Sequence, residues 1–561
     1  MLQLWRRRKK RYADIEADEI LLDSSNVPEF DVDQFEGRIE RPLKRRTLSF
    51  AGGVIALMFL LLLGRAADLQ ILQGTALAQT AKNNQLSHTT VFADRGIVVD
   101  RNNVPLAWNE RSSVTDEYAR RTYADMQGLA HIVGYVKEPA KDSKGFYYRS
   151  EFEGQDGVER AYNTELGGKN GIKLTETDAR GAVVAQVTLE PPQAGQKLVL
   201  SIDAAVTEGL YKAIEERVKA SGFQGGAGVV MDVRTGELLA ITSYPEYSQT
   251  ALMAGDSAAI KLLNADKRQP FLNRATDGLY SPGSIVKPIV AVAALTEGVI
   301  TPEKQILSTG SISIPNAYDP KNPTIFKDWK AHGWVDMRRA IAVSSDVYFY
   351  EVGGGFQGQK GLGIDLLDKY FRLFGFGQDA GLAGFSEKLG NIPSPAWKET
   401  TFNGDPWRIG NTYHTAIGQY GMQVTPLQAV RATAVLADGG GLLVPHVLVS
   451  EVVQSTNLGL SVLGLRVAQE GMRQSVTEGI AQAVNFGFVH VAAKTGTAQV
   501  GIKNEYINSW MIGFWPYEKP RYAYAVVLER GPAHTTVGAP AATSAFIQWL
   551  NQNAPQYLSV D

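Results

Sequence analysis

The chain has 561 residues, 44% hydrophobic and 20% charged, with a formal net charge of -2. Its composition excludes a wholly disordered, collagenous or polytopic membrane chain, and its length allows about three or four domain-sized pieces. Near-neutral charge argues against broad nucleic-acid binding, and the absence of cysteine excludes disulfides, thiolate catalysis, zinc ribbons and iron–sulfur ligation.

Residues 1–46 mix a basic cluster (Arg6 to Arg11, then Lys44, Arg45 and Arg46) with an acidic stretch from Asp14 to Asp33. They lack apolar periodicity and read as a flexible tail. The uncharged run Leu48 to Gly64 lies between Arg46 and Arg65 and sits at the short end of a spanning helix. Basic residues before the run would hold that end in the cytoplasm. We therefore expect a transmembrane anchor over 47–67, with everything after it on the outer side, where an absence of cysteine is well suited. Ala76-Leu77-Ala78 resembles a signal-peptide cleavage site but lies well beyond the apolar run. An uncleaved, single-pass anchor is the reading, with residues 66–85 continuing as a helix out of the membrane.

From Val91 the pattern changes to short segments and glycine-rich turns, expected to form an irregular β-rich domain over 68–200. A strand-like segment, Lys197 to Ile202, and a helix, Ala204 to Ala220, open a larger domain over 201–561. Its first strands, Ala227–Val233 and Glu237–Ser243, flank Arg234-Thr235-Gly236 and read as a hairpin. Helices follow at Ile285–Leu295 and Leu427–Leu436, strands at His490–Val500 and Tyr522–Leu528, and a last helix at Ala542–Asn551. Strands at both ends of a helical middle predict an α+β fold, an antiparallel sheet with helices.

Several motifs carry no chemistry. Gly353 to Gly358 fits G-x-G-x-x-G but follows no clear strand, and neither a Walker A sequence nor a G-x-S-x-G elbow is present. Asp319, Asp328 and His332 can be drawn together but lack a fourth ligand. No metal and no cofactor is expected.

Ser284-Ile285-Val286-Lys287 differs, because it follows the turn Tyr280-Ser281-Pro282-Gly283 and opens an apolar helix. Unsatisfied backbone N–H groups there suit an oxyanion, and Lys287 lies on the same helix face, within reach of the Ser284 hydroxyl. A lysine takes a hydroxyl proton only when desolvated or beside another cation. Ser344-Ser345-Asp346 follows sixty residues on and, alone, reads as a helical turn capped by Asp346. Lys494-Thr495-Gly496-Thr497 lies in the strand-like run near the C-terminus, where a glycine marks a close backbone approach and lysine beside threonines suits a carboxylate. Each element is weak alone. The ordered set S-x-x-K, S-x-D/N, K-T-G is the signature of penicillin-binding proteins and serine β-lactamases.

On these residues the chain resembles the class B penicillin-binding proteins, membrane-anchored transpeptidases that cross-link peptidoglycan. Arg95-Gly96, Asp100-Arg101-Asn102, Leu106-Ala107, Gly157-Val158-Glu159 and Ala179-Arg180-Gly181 are similar to the family's pedestal (dimerisation-like) motifs. Asn273-Arg274-Ala275, Tyr280 to Pro288, His332-Gly333, Ile417-Gly418-Gln419 and Val424 to Gln428 are similar to its catalytic blocks. The resemblance implies that Ser284 attacks the penultimate D-Ala carbonyl of a stem peptide and that Lys287 accepts its proton. It makes Ser344 a relay between Lys494 and the leaving D-Ala, and gives the oxyanion hole to the N–H groups of Ser284 and Thr497. Lys494, Thr495 and Thr497 would hold the terminal carboxylate, with the donor lying along the Gly496 strand as an added strand. Asp346, where many relatives carry Asn, is a mild pointer to the elongation-type members. Ala493 and Tyr420 stand where glycine is commoner, and both are expected to alter pocket shape. Peptidoglycan stem peptides, β-lactams, the membrane and a SEDS-family glycan polymerase are the implied partners, with no nucleic acid. Nothing resembles a glycosyltransferase domain. The rivals are a D,D-carboxypeptidase or β-lactamase on the same fold, or a non-catalytic penicillin-binding scaffold or sensor.

Overall fold

The computed structural model describes residues 45–84, 86–178, 182–316, 319 and 321–559. The tail through Lys44 and the motif Ala179-Arg180-Gly181 lie outside the described residues. Of these residues, one unit holds 45–84, Leu86, 177 and 178, and the other holds the rest.

In the first unit, helix α1 (Arg45–Ala67) carries the uncharged run and has no buried residue. It passes through a wider π turn, Asp68–Leu72, into helix α2 (Gly74–Asn84), so the helical continuation past residue 65 is present. Its exposed Leu60 to Leu63, with Phe59 and Ile55, would be costly in water. Among the described residues this is the one helix long and apolar enough to cross a membrane.

The second unit is organised around a five-stranded antiparallel sheet. In chain order its parts are α3 (Ala204–Ser221), β1 (Gly225–Asp232), β2 (Leu238–Tyr244), α4 (Lys287–Thr296), α5 (Met337–Val343), α6 (Asp346–Gly354), α7 (Pro426–Asp438), α8 (Val462–Thr477), β3 (Ala492–Val500), β4 (Tyr506–Trp515), β5 (Tyr522–Pro532) and α9 (Ala539–Asn553). The strand order is β2-β1-β5-β4-β3, and β1 and β2 form the expected hairpin, with Val229 opposite Ile241. Successive strand residues enter opposite cores, as the two-residue period of a strand requires. Val229, Ile512 and Ala525 join Ile289 and Leu427 on one face. Val230, Met511 and Val526 join Leu210 and Ile214 of α3 and Phe546 and Ile547 of α9 on the other. The result is a sheet between two helical layers, the α+β architecture expected.

Local signals fix the helices that flank it. The Asp203 side chain accepts from Val206 N at the start of α3, and Gly222 ends that helix in the left-handed region. Thr425 and Gln428 form a reciprocal capping box before α7, with Pro426 in its first turn.

Residues ahead of the sheet share its core: Val98, Leu106, Leu200 and Ile202 belong to the cluster that contains Val229 and Leu427. The strand-like segment Lys197 to Ile202 contracts to Leu198–Val199, paired parallel to Val98–Val99. Asn102 Nδ2 donates to Asp203 (2.8 Å), which also accepts from Tyr557 Oη (2.7 Å), and Tyr162 Oη donates to Glu451 (2.7 Å). The Arg95-Gly96 and Gly157-Val158-Glu159 motifs meet in a buried triad. Glu159 accepts from Arg95 Nε (2.6 Å) and Arg121 Nε (2.7 Å), with all three side chains excluded from solvent.

One carboxylate thus offsets two buried guanidiniums. Glu159→Gln leaves both cations without a counter-charge, and a loss of about 3–5 kcal/mol is expected. A thermal melt with urea denaturation checks this, and a loss below about 1 kcal/mol would show that the triad relaxes to water.

Candidate active site

The catalytic candidates converge where α4, the α5–α6 turn and β3 meet. Ser284 sits in a single 3-10 turn, Gly283–Val286, directly before α4. The turn is pressed against β3. A Cβ on Gly283 (φ +57°) would lie 2.8 Å from Thr497 O, and one on Gly496 would lie 2.8 Å from Pro282 O. Only glycine permits both approaches, which is the close contact expected at Gly496. Gly283 N also donates to Gly418 O (2.9 Å), and Trp510 Nε1 to Ser281 O (3.0 Å). The loop of Ile417-Gly418-Gln419 and strand β4 therefore hold the turn from two further directions.

Lys287 and Lys494 are both fully buried and converge on Ser344. Lys287 Nζ donates to Ser344 O (2.8 Å), Ser344 Oγ (3.2 Å) and Asp346 Oδ1 (2.6 Å), and lies over the Phe349 ring. Lys494 Nζ donates to Ser344 Oγ (2.8 Å) and Thr495 O (2.8 Å). Burial, then the Lys287 charge, hold the Lys494 amine well below its usual range, with Asp346 opposing the shift. Burial likewise lowers the nearby His414, again opposed by Asp346.

Ser284, Lys287, Ser344, Asp346, Lys494, Thr495, Gly496 and Thr497 thus occupy one locality, but not with every contact expected. Lys287 takes partners in Ser344 and Asp346, and among the described residues the Ser284 hydroxyl has no hydrogen-bond partner. The carboxylate opposite explains this, since a charge-assisted bond outcompetes one to a hydroxyl. The cap of α6 is also Ser345, whose Oγ accepts from Tyr348 N, in place of Asp346. Asp346 is thereby released to pair with Lys287. Thr495 is half-buried and Thr497 exposed on β3, the outermost strand of the sheet. Ala493 faces away from Lys494, into the core behind the sheet. Tyr420 adopts φ +61° and packs among Trp397, Phe402 and Trp407.

Asp328 and His332 approach each other at 3.4 Å, while Asp319 accepts from Asn322. Among the described residues no group of three or more His, Asp or Glu could hold a metal ion. Ser308 and Asp328 beneath the Ser344–Asp346 turn were not anticipated as site residues, and the available signal was an acidic residue four positions from a histidine in a predicted loop.

Residues 226–548 match the penicillin binding protein transpeptidase domain, and 112–200 match the penicillin-binding protein dimerisation domain. The peptidoglycan D,D-transpeptidase MrdA of Haemophilus influenzae is 33% identical over 478 residues, covering 78% of this chain and 70% of that protein. A Helicobacter pylori PBP2 solved in complex with MreC superposes with a TM-score of 0.70 at 26% identity, covering 84% of this chain and 100% of that one. A chain from a peptidoglycan synthase complex that coordinates polymerization and crosslinking gives a TM-score of 0.70 at 26% identity, over 90% of this chain and 98% of that one. The sheet between two helical layers, matched over residues 226–548, is a penicillin-binding protein transpeptidase domain. The chain belongs to the class B penicillin-binding proteins, the D,D-transpeptidases of peptidoglycan synthesis.

The buried amine has a consequence for stability. With its folded pKa depressed, Lys494 binds fewer protons folded than unfolded. Its cost to the fold therefore shrinks as pH rises toward the unfolded value of about 10.4. Lys494→Met is expected to melt at a higher temperature than wild type near pH 6, with the gap closing toward pH 10. Melts across that range test the sign, and a gap independent of pH would mean that the amine keeps its proton on folding.

Proposed function

We propose that the chain cross-links peptidoglycan through a serine acyl-enzyme formed on Ser284. The observation that carries this reading is Ser344 Oγ standing between two buried amines, 3.2 Å from Lys287 and 2.8 Å from Lys494. Ser284 Oγ attacks the penultimate D-Ala carbonyl of a donor stem peptide, and Lys287 takes its proton. Ser344 passes a proton from the Lys494 side to the departing D-Ala nitrogen, so the peptide bond is exchanged for a Ser284 ester. An acceptor amine on a second stem peptide then displaces Ser284, giving up its proton through Ser344 to Lys494, while Ser284 recovers its own from Lys287 as the cross-link forms. The depressed proton affinity of Lys494 supports its place in such a relay. The N–H groups of Ser284 and Thr497 act as the oxyanion hole, and Lys494, Thr495 and Thr497 receive the donor carboxylate. The place of β3 as the outermost strand of the sheet among the described residues supports a donor added as a further strand. Penicillins enter the same site as acylating analogues of the donor.

The domain plan of this reading is a cytoplasmic tail over 1–46, an anchor over 47–67, a pedestal over 68–200 and a transpeptidase domain over 201–561. Basic residues before the anchor keep the tail in the cytoplasm and place the catalytic part outside. Asp346 and the likeness to MrdA and PBP2 support the elongation-type role.

Covalent labelling of the full chain in detergent by a fluorescent penicillin tests the nucleophile. Stable label on wild type and none on a folded Ser284→Ala is the expected pair of results. Equal labelling of the alanine variant would place the nucleophile elsewhere, and rapid nitrocefin turnover with no retained label would point to a β-lactamase.

A SEDS-family glycan polymerase is the partner of this reading, supported by the likeness to a chain from a complex that couples polymerization with crosslinking. Contact runs through the anchor and the pedestal. Replacing residues 47–67 by an unrelated apolar helix is expected to abolish co-purification. Unchanged co-purification and polymerase stimulation with both anchor and pedestal exchanged would sink this assignment.

A further inference from the structure

The Ser344–Asp346 turn carries two of the groups that meet Lys287 and Lys494, yet its backbone is unfavourable. Ser344 adopts φ +59°, ψ +43° between α5 and α6, a left-handed conformation that non-glycine residues seldom occupy. Something must hold it there. The carboxylate of Asp328 is fully buried and lies directly beneath the turn. Its Oδ2 accepts from Ser345 Oγ (2.9 Å), Val347 N (3.0 Å) and Ser308 Oγ (3.2 Å), and its Oδ1 accepts from Trp329 N (2.8 Å). The Trp329 indole adds a bond to Val343 O (3.2 Å). One loop therefore grips Val343, Ser345 and Val347, the residues alternating with Ser344 and Asp346.

We propose that Asp328 is a positioning residue that holds Ser344 and Asp346 against the two lysines. The inference rests on the assignment of Ser284, Ser344 and the lysines above. Among the described residues, no hydrogen bond of Asp328 reaches Lys287, Lys494 or Ser344 Oγ; it acts through the turn. Because Ser345 spends its hydroxyl on Asp328 while capping α6, the same side chain fixes both the helix start and the turn before it. The neighbouring His332, its proton affinity lowered by burial, closes the other side of the carboxylate at 3.4 Å.

The test is acylation of the full chain in detergent by a fluorescent penicillin, with each rate normalised to the sites that label at completion. A merely structural role lowers the melting temperature and the number of such sites but not the rate per site. Asp328→Ala is expected to lower the acylation rate constant at saturating penicillin about tenfold or more, the scale of lost hydrogen bonds to a charged group. The half-saturating concentration should change less than about threefold, and Asp328→Asn, which keeps an oxygen for Ser345 and Val347, should recover part of the rate. Should Asp328→Ala not fold, Ser345→Ala decides, with a loss of about threefold or more expected and Ser345→Thr restoring the rate to within about twofold. Rates per site within about twofold of wild type in Asp328→Ala, or in Ser345→Ala where it must serve, would overturn the proposal. Absence of label on wild type, or label on Ser284→Ala, would instead overturn the assignment of the site.

Discussion

Two lysine side chains buried against one serine hydroxyl set the terms for this catalytic site. An amine is expensive to bury, and a second one nearby raises the cost. Here Lys287 has Asp346 as counter-ion, and Lys494 meets an environment that disfavours its charge. The two solutions differ because only Lys287 faces the carboxylate at bonding distance. Ser344 lies between them, and its position follows from a left-handed residue at the junction of two helices. The site is thus an arrangement in which two residues of the same type are given different surroundings by placement.

Such an arrangement needs rigid surroundings. Strand β3 supplies Lys494 from a sheet buried on both faces, while the Ser284 turn is pressed onto the same strand with no room for a side chain at Gly283 or Gly496. Strain at Ser344 and burial of the lysines both oppose folding, and the cores on either side of the sheet offset them. The stability of the scaffold and the chemistry of the site are in this sense one problem. A side chain that improves the first locally can remove the groups needed for the second.

Much of this was legible in the sequence. Ser284, Ser344 and Lys494 were singled out because three short motifs occur in a fixed order, the hairpin was read from two β-rich runs about a glycine turn, and α7 from a helical stretch. Strand β4 was missed. Its apolar run is broken by Asn508, Ser509 and Gly513, and each break has a local cause. Asn508 Oδ1 accepts from Arg530 N where the register slips, Ser509 Oγ accepts from Ala539 N at the head of α9, and Gly513 gives way to the Tyr524 ring. Spacing of three residues placed Lys287 on the face of Ser284, but spacing carries no information about competition, and Asp346 wins the amine. The cap was misassigned for a related reason: Ser345 and Asp346 are both competent caps, and Lys287, by pairing with Asp346, decides between them from a distant part of the chain. Asp328 was weighed only as a metal ligand and set aside for want of a fourth, and a loop carboxylate shows no periodicity that would mark it otherwise.

The core that Val98, Leu106 and Leu200 share with the sheet has a temporal consequence. Leu200 bridges Leu448, Ser201 N donates to Val447 O, and Asp203 accepts from Tyr557 near the far end of the chain. A chain made from its N-terminus exposes the apolar Val98–Leu106–Leu200 segment long before those partners emerge. Contacts of such sequence separation form late and slowly, so the first half must persist incomplete until the second arrives. Synthesis of this protein therefore includes an interval in which its earliest residues depend on being kept apart from other chains.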